Sequence, residues 1–339
     1  MEIGFHVHIV TLLEKLYSKQ QAKVRVAGVL SKGFCIKRGV RQGCTMSPYL
    51  FNILSETVMR EALDGFEGGI RIGGRRISNL RYADDIVLLA CTEAELQDLV
   101  NRLDQASRIY GLLINIEKTK VMVMGNNINS CITVQGNKLD QVDTFLYLGS
   151  LITAEGDCEK EIRARLAKGR SIGTSLRQIW RSHGITTSTK LRLLNALVWP
   201  VATYGCESWT IKKREEERIN AFEMKCLRQV LRVSWTAKKT NEWVLKEAGV
   251  ERHLLKAVKQ RKLSYFGHVM RKTGDCLEKE MIQGTMPGTR RRGRPRTAWM
   301  DNIRKWTGLS MTQLMARTGD RDRWRATVHS VANPRIEDG

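Results

Sequence analysis

The chain predicts an α+β fold: an antiparallel sheet with helices on one face, then a mainly α-helical region and a basic C-terminal region. Three observations carry this. Short apolar-alternating stretches and glycine turns interleave with amphipathic helices up to about residue 152. From about residue 155 strand patterns fade and helical periodicity takes over. The last stretch, 251–339, holds 20 Lys+Arg against 9 Asp+Glu, half of the chain's net charge of +22. The expected parts are therefore 1–152, 153–240 and 241–339.

In order, residues 9–19 predict a helix whose apolar face is Ile9, Leu12, Leu13 and Leu16. His6 and His8 lack further ligands nearby and read as structural. Residues 23–29 alternate as a strand does, with Phe34-Cys35-Ile36 as its expected hairpin partner. Next comes a loop in which Arg41-Gln42 sits between Gly39 and Gly43. Ser47-Pro48 then starts a helix, Ser as N-cap and Pro in the first turn, with Leu50, Leu54 and Val58 on one face. A glycine-rich loop feeding a helix N-terminus suits phosphate contact. Ile70-Arg71-Ile72 and Arg75-Arg76-Ile77 flank Gly73-Gly74 as a two-residue hairpin.

The stretch 80–89 has two apolar arms around Asp84-Asp85, which puts both carboxylates at a hairpin turn. Such a tip can hold divalent metal, because Mg²⁺ takes carboxylate and phosphate oxygens. An ordinary acidic turn has the same look, since Asp favours turns. Thr92-Glu93-Ala94-Glu95 reads as a capping box for a helix with Leu96, Leu99, Val100, Leu103 and Ala106 on one face, ended by Gly111. Residues 113–116 and 121–124 read as strands joined by Glu117-Lys118-Thr119-Lys120, and 131–134 and 144–149 as a further strand set.

Beyond, residues 158–180 place Ile162, Leu166 and Leu176 inside, with Arg163, Arg165, Lys168, Arg170 and Arg177 between them, a basic face that either tracks a nucleic-acid duplex or is, as charge runs more commonly are, a solvated face. Residues 189–199 and 215–231 read as further amphipathic helices. Arg290, Arg291, Arg292, Arg294 and Arg296 crowd into seven positions, a candidate nucleic-acid contact. Their Arg-Gly-Arg-Pro core also occurs in AT-hooks, but phosphate binding without base preference is the reading taken. Trp299, Trp306 and Trp324 read as a small core.

Composition narrows the function. A pI near 9.9 makes nucleic acid the default partner. Eight cysteines without a C-x-x-C pair read as free thiols in a reducing compartment. No stretch is long and apolar enough for a membrane span, and the N-terminus lacks a basic secretory n-region.

Two segments, Gly39-Val40-Arg41-Gln42-Gly43-Cys44-Thr45-Met46-Ser47-Pro48 and Tyr82-Ala83-Asp84-Asp85, occur in the order and spacing of one family. Together they resemble the reverse transcriptases of non-LTR (LINE-type) retrotransposons. The resemblance implies a polymerase palm, a helical thumb and RNA-directed DNA synthesis with Mg²⁺, or Mn²⁺ as the alternative ion. It implies that Asp84 and Asp85 are the metal ligands and that Arg41, Gln42, Gly43 and Tyr82 line the nucleotide site. Lys118, or else Lys120, would protonate the pyrophosphate leaving group. The 144–149 segment resembles the hairpin that grips the primer end.

Implied partners are an RNA template, a DNA primer or target and deoxynucleoside triphosphates, in a nuclear or cytoplasmic ribonucleoprotein. No zinc knuckle is present, so no zinc is expected. The family's first catalytic aspartate and its fingers would precede residue 1, which leads to an expected loss of activity in this chain. The rival expectation is a catalytically dead nucleic-acid-binding remnant. A viral RNA polymerase or an intron-encoded transcriptase shares the palm logic but matches the wording of the first segment less well.

Overall fold

The computed structural model describes residues 4–36, 39–125, 129–274, 276–284 and 296–332. They form two compact units. The first takes residues up to Glu67, Asn79–Leu89 and Asp98–Leu113; the second takes Gly68–Ser78, Ala90–Gln97 and the chain from Ile114 on.

In the first unit, the helix Val7–Tyr17 forms slightly ahead of the expected span. His6 accepts from the His8 amide at 3.5 Å and so caps it, a structural role. Its expected apolar face is open to solvent: Ile9, Leu12 and Leu16 are all exposed. The 23–29 stretch is not one strand. Arg25–Val26 folds back onto Val29–Leu30 around Ala27-Gly28, while Phe34–Cys35 pairs with Gln21–Ala22. The fold-back needs positive φ at both turn residues, 45° at Ala27 and 86° at Gly28. The helix Ser47–Leu63 buries Val58, Met59 and Ala62. Of the helix Glu93–Ile109 this unit takes the part from Asp98 on, where Leu99, Val100, Leu103 and Ala106 are buried on the expected face. Gly111 follows it with a φ of 70°.

In the second unit, Ile70–Ile72 pairs antiparallel with Arg75–Ile77 around Gly73-Gly74, whose φ values of 59° and 90° only glycine adopts freely. Thr144–Tyr147 pairs with Ser150–Thr153 around Leu148-Gly149. The two expected strands at 113–124 reduce to Lys120–Val121, which runs parallel to Asp140–Gln141. The Asn115 side chain explains the loss: it accepts from the Lys118 amide at 3.0 Å and sets a turn there.

Among the described residues the strands pair only in twos, seven pairs in all, so the expected continuous antiparallel layer is not formed. The strands are two to four residues long; five of the pairs are hairpins between neighbours in sequence, and the other two, Gln21–Ala22 with Phe34–Cys35 and Lys120–Val121 with Asp140–Gln141, span intervening strands. The architecture is mixed α and β with small sheets, dominated by helices after Thr153.

Those helices enclose two apolar cores. One joins Ile162, Leu166, Val198, Phe222, Leu227 and Val258 across the helices Glu159–Ser175, Lys213–Val230 and Leu254–Arg271. The other joins Leu263, Phe266, Ile303, Leu314 and Trp324, with Trp299 and Trp306 packed against it, as expected of those tryptophans. Cysteines among the described residues are unpaired. No helix there is long and apolar enough to cross a membrane.

Candidate active site

The two aspartates sit on the hairpin of Asn79–Tyr82 and Asp85–Leu88. Its register pairs Arg81 with Ile86 and Tyr82 with Asp85, so the connecting turn is Ala83-Asp84. The expectation that both aspartates occupy the turn is thus off by one residue: Asp84 lies in it, and Asp85 opens the second strand. Ala83 takes a φ of 53°, a conformation usually given to glycine at the first position of a tight hairpin turn. Tyr82, Asp84 and Asp85 are all exposed.

Arg81 fixes the hairpin to the neighbouring helix. Its Nη1 donates to Glu56 Oε2 at 2.8 Å, and Arg60 Nε reaches Glu56 Oε1 at 3.2 Å. Burial alone would raise the Glu56 carboxyl, but the hydrogen bonds and charges of Arg60 and Arg81 outweigh it and hold the group below its usual range. Sequence reasoning missed this pair. The signal was a lone arginine inside an apolar strand arm.

The glycine loop lies in the same unit. Gly39 and Gly43 take φ values of 95° and 83°. Ser47 does not cap the helix as expected; Met46 holds the N-cap position and makes no side-chain cap bond. Instead Ser47 Oγ donates to the Arg41 carbonyl at 2.6 Å, closing the loop on itself. The Arg41 side chain turns toward the first helix, donating to the Leu16 carbonyl at 3.1 Å with its guanidinium 5.9 Å from the Tyr17 ring. Gln42 is exposed. A backbone hydrogen bond at Met46 and the Ser47 hydroxyl hold the Cys44 thiol below its usual range.

Residues 4–152 match the family model of the reverse transcriptase (RNA-dependent DNA polymerase). Across 278 residues the chain is 30% identical to an uncharacterized transposon-derived protein of Caenorhabditis elegans, a match covering 76% of this chain and 98% of that one. It is also 29% identical over 166 residues to the Pol polyprotein of the retrotransposable element R2DM of Drosophila melanogaster. A similar match, 29% over 164 residues, links it to the R2 Pol polyprotein of Nasonia vitripennis. The chain belongs to the reverse transcriptases of non-LTR retrotransposons. The R2 matches cover 46% and 42% of this chain but only 15% of each polyprotein.

Not all expected site residues of this reverse transcriptase lie in the first unit. Lys118 belongs to the second and is exposed. Lys120, the alternative, is engaged in an ion pair with Asp140 at 2.7 Å. Arg290, Arg291, Arg292 and Arg294 lie outside the described residues. Arg296 donates from Nη1 to the Glu155 carbonyl at 2.6 Å.

The donor set at the hairpin tip is two adjacent exposed carboxylates, hard oxygen ligands of the type Mg²⁺ takes. Among the described residues no group of three or more His, Cys, Asp or Glu converges as a metal site.

Proposed function

We propose that this reverse transcriptase domain performs RNA-templated DNA synthesis at the Asp84-Asp85 hairpin, with residues 1–152 as palm and the following helices as thumb. The observation that supports it is the tight turn at Ala83-Asp84, which offers both carboxylates to solvent on a strand pair tied to Glu56 through Arg81. Asp84 and Asp85 would hold Mg²⁺. When bound, the ion would neutralise charge on the triphosphate and favour ionisation of the primer hydroxyl.

The chain's own groups supply position. Gln42 and the Gly43 backbone would lie along the incoming deoxynucleotide, and Tyr82 would pack beside its sugar. Arg41 would contact a phosphate only after releasing the Leu16 carbonyl, so it is the weakest of the four. Lys118 Nζ would carry the proton delivered to the pyrophosphate. Its exposed position, against the ion-paired Lys120, favours it over the alternative. An RNA template and a DNA primer or target are the expected partners, in a ribonucleoprotein.

Primer extension tests the reading, with an RNA template, a DNA primer, Mg²⁺ and deoxynucleotides, beside Asp84→Asn and Asp85→Asn. Extension by the wild type, reduced about 10³-fold or more in both variants, is the result this reading requires, and it would overturn the loss of activity expected from the sequence. Equal extension by wild type and variants would overturn the site assignment. Nucleic-acid binding with no extension would leave the chain a binding protein of retrotransposon ancestry.

A further inference from the structure

Packing alone holds the hairpin of Asp84 and Asp85 weakly. None of the eight residues in Asn79–Tyr82 and Asp85–Leu88 is buried, and among the described residues the two strands pair only with each other. A lone two-stranded ribbon has little to fix its position. Carboxylates that serve Mg²⁺ need a fixed one, because the ion demands near-ideal octahedral geometry.

One side chain supplies a constraint. Arg81 stands opposite Ile86, one step from the Tyr82–Asp85 pair. Successive strand residues face opposite sides, so Arg81 leaves the hairpin on the side away from Asp85. Its Nη1 donates to Glu56 Oε2 at 2.8 Å, while Arg60 Nε takes Glu56 Oε1 at 3.2 Å. Each carboxylate oxygen has its own guanidinium, so Glu56 cannot turn without losing one of them. Glu56 lies on the helix Ser47–Leu63, nine residues beyond Ser47 or about 14 Å along its axis. At the start of that helix the Ser47 hydroxyl is bonded to the Arg41 carbonyl of the glycine loop. Hairpin, helix and loop all belong to the first compact unit.

We infer that Arg81 and Glu56 are positioning residues for divalent-metal binding, holding the two aspartates at a set place relative to the glycine loop of Gln42. The inference rests on the reading that Asp84 and Asp85 hold the ion. Both partners are partly exposed, so the pair adds little to stability and its use lies in orientation. Charge and position make opposite demands here. Arg81 is three residues from Asp84, about 10 Å along the strand, close to a Debye length at 0.1 M salt. Deleting its positive charge would, by Coulomb's law alone, favour a cation at the tip. Loss of the tether would disfavour it.

The test uses the full chain at low ionic strength, with Tb³⁺ alone as the probe. Tb³⁺ is a hard cation that takes the same oxygen ligands, and energy transfer from the neighbouring Tyr82 excites its luminescence. The signal lost in Asp84→Asn/Asp85→Asn defines the site. Thermal melting accompanies every variant.

Arg81→Ala should weaken Tb³⁺ binding about tenfold, the lower end of what lost support of metal ligands costs. Arg60→Ala removes an equal charge from the same carboxylate without freeing the hairpin, and should change binding less than about twofold. Glu56→Gln should match Arg81→Ala, and the double variant should be no weaker than either, because all three break one tether. Arg81→Lys should recover part of the loss. Melting temperatures should stay nearly unchanged.

Unchanged or tighter binding by Arg81→Ala would overturn the inference, since charge alone would then act. So would equal losses in Arg60→Ala and Arg81→Ala, or a loss that tracks a fall in melting temperature, as a purely structural pair would give. A wild-type signal that persists in Asp84→Asn/Asp85→Asn would overturn the metal-site reading and this inference with it. A signal lost there but untouched by Arg81→Ala would overturn this inference alone.

Discussion

Arg165 and Glu161 form a buried ion pair, Nε to Oε1 at 2.7 Å, with side chains only 8% and 6% exposed. The pair reaches beyond its own helix. The second Glu161 oxygen accepts from the Leu151 amide at 2.8 Å, and Arg165 donates to the Gly149 carbonyl. The guanidinium also lies 4.3 Å from the Tyr204 ring, and the Tyr204 hydroxyl donates to the Leu148 carbonyl at 3.0 Å. One arginine thus ties the 144–153 hairpin to the helix that follows it.

Removing one partner strands the other charge in the core. Arg165→Ala and Glu161→Ala should each cost about 3–5 kcal/mol in urea unfolding. The double variant Arg165→Met/Glu161→Leu should cost less than either single variant. A single-variant loss below about 1 kcal/mol would mean that the pair is solvated.

Ala83 holds a left-handed φ between the site strands, which costs a non-glycine residue about 1–2 kcal/mol. Ala83→Gly should leave the hairpin intact and raise stability by about 0.5–1 kcal/mol. Ala83→Val, with its branched Cβ, should lower stability and disturb the position of Asp84. Comparing urea midpoints of the two variants checks the turn. A stability ranking of valine above glycine would refute it.

Ser47 lends itself to a donor–acceptor test. Its Oγ donates to the Arg41 carbonyl, so Ser47→Ala should cost about 1 kcal/mol and loosen the glycine loop. Ser47→Asp should be no better, because a carboxylate cannot donate. Were Ser47 a helix cap, Ser47→Asp would restore full stability. Unfolding midpoints of both variants separate the two roles.

These cases show how far the sequence was legible. The Gly73-Gly74 hairpin could be read because its backbone demands glycine, and the Asp84-Asp85 hairpin because both arms are apolar. Its register could not be read: nothing in the residue type marks Ala83 as the positive-φ position. The same blindness hid the fold-back at Ala27, where strict alternation argued for one strand. Arg165 was grouped with the basic-face arginines of its helix, although Glu161 four residues earlier was the visible sign of a partner. The Ser47-Pro48 start was right in place and wrong in bonding, because the Arg41 carbonyl comes close only through the loop's tertiary path. Helix faces were legible wherever a core formed, as at Leu99 and Leu103, and misleading at Ile9 and Leu12, which stay exposed.

Lys262 gave no sequence signal at all, yet it is fully enclosed. Its Nζ donates to the Trp209 carbonyl at 2.7 Å and to Asn302 Oδ1 at 2.9 Å, with the Trp299 ring 4.6 Å away. Burial pushes its pKa down to about 7, despite carbonyl and ring partners that favour the charge. The unfolded chain releases this proton only near the ordinary lysine value of 10.5. Between about pH 7 and 10.5 the unfolded state therefore binds the extra proton, so the contribution of Lys262 to stability should rise with pH across that window, opposed in its upper part by the buried Cys158, Cys206 and Cys226 thiols, which burial pushes up. The contribution approaches 1.4 kcal/mol per pH unit and vanishes below the folded-state value. Burial raises the neighbouring Cys158 thiol, which keeps it neutral over the lower part of the window. Urea unfolding at pH 7.0, 8.0 and 9.0 measures the slope, and Lys262→Met should flatten it. A slope that is unchanged in Lys262→Met would mean that Asn302, Trp209 and the indole rings keep the lysine charged throughout and would assign any effect to other groups.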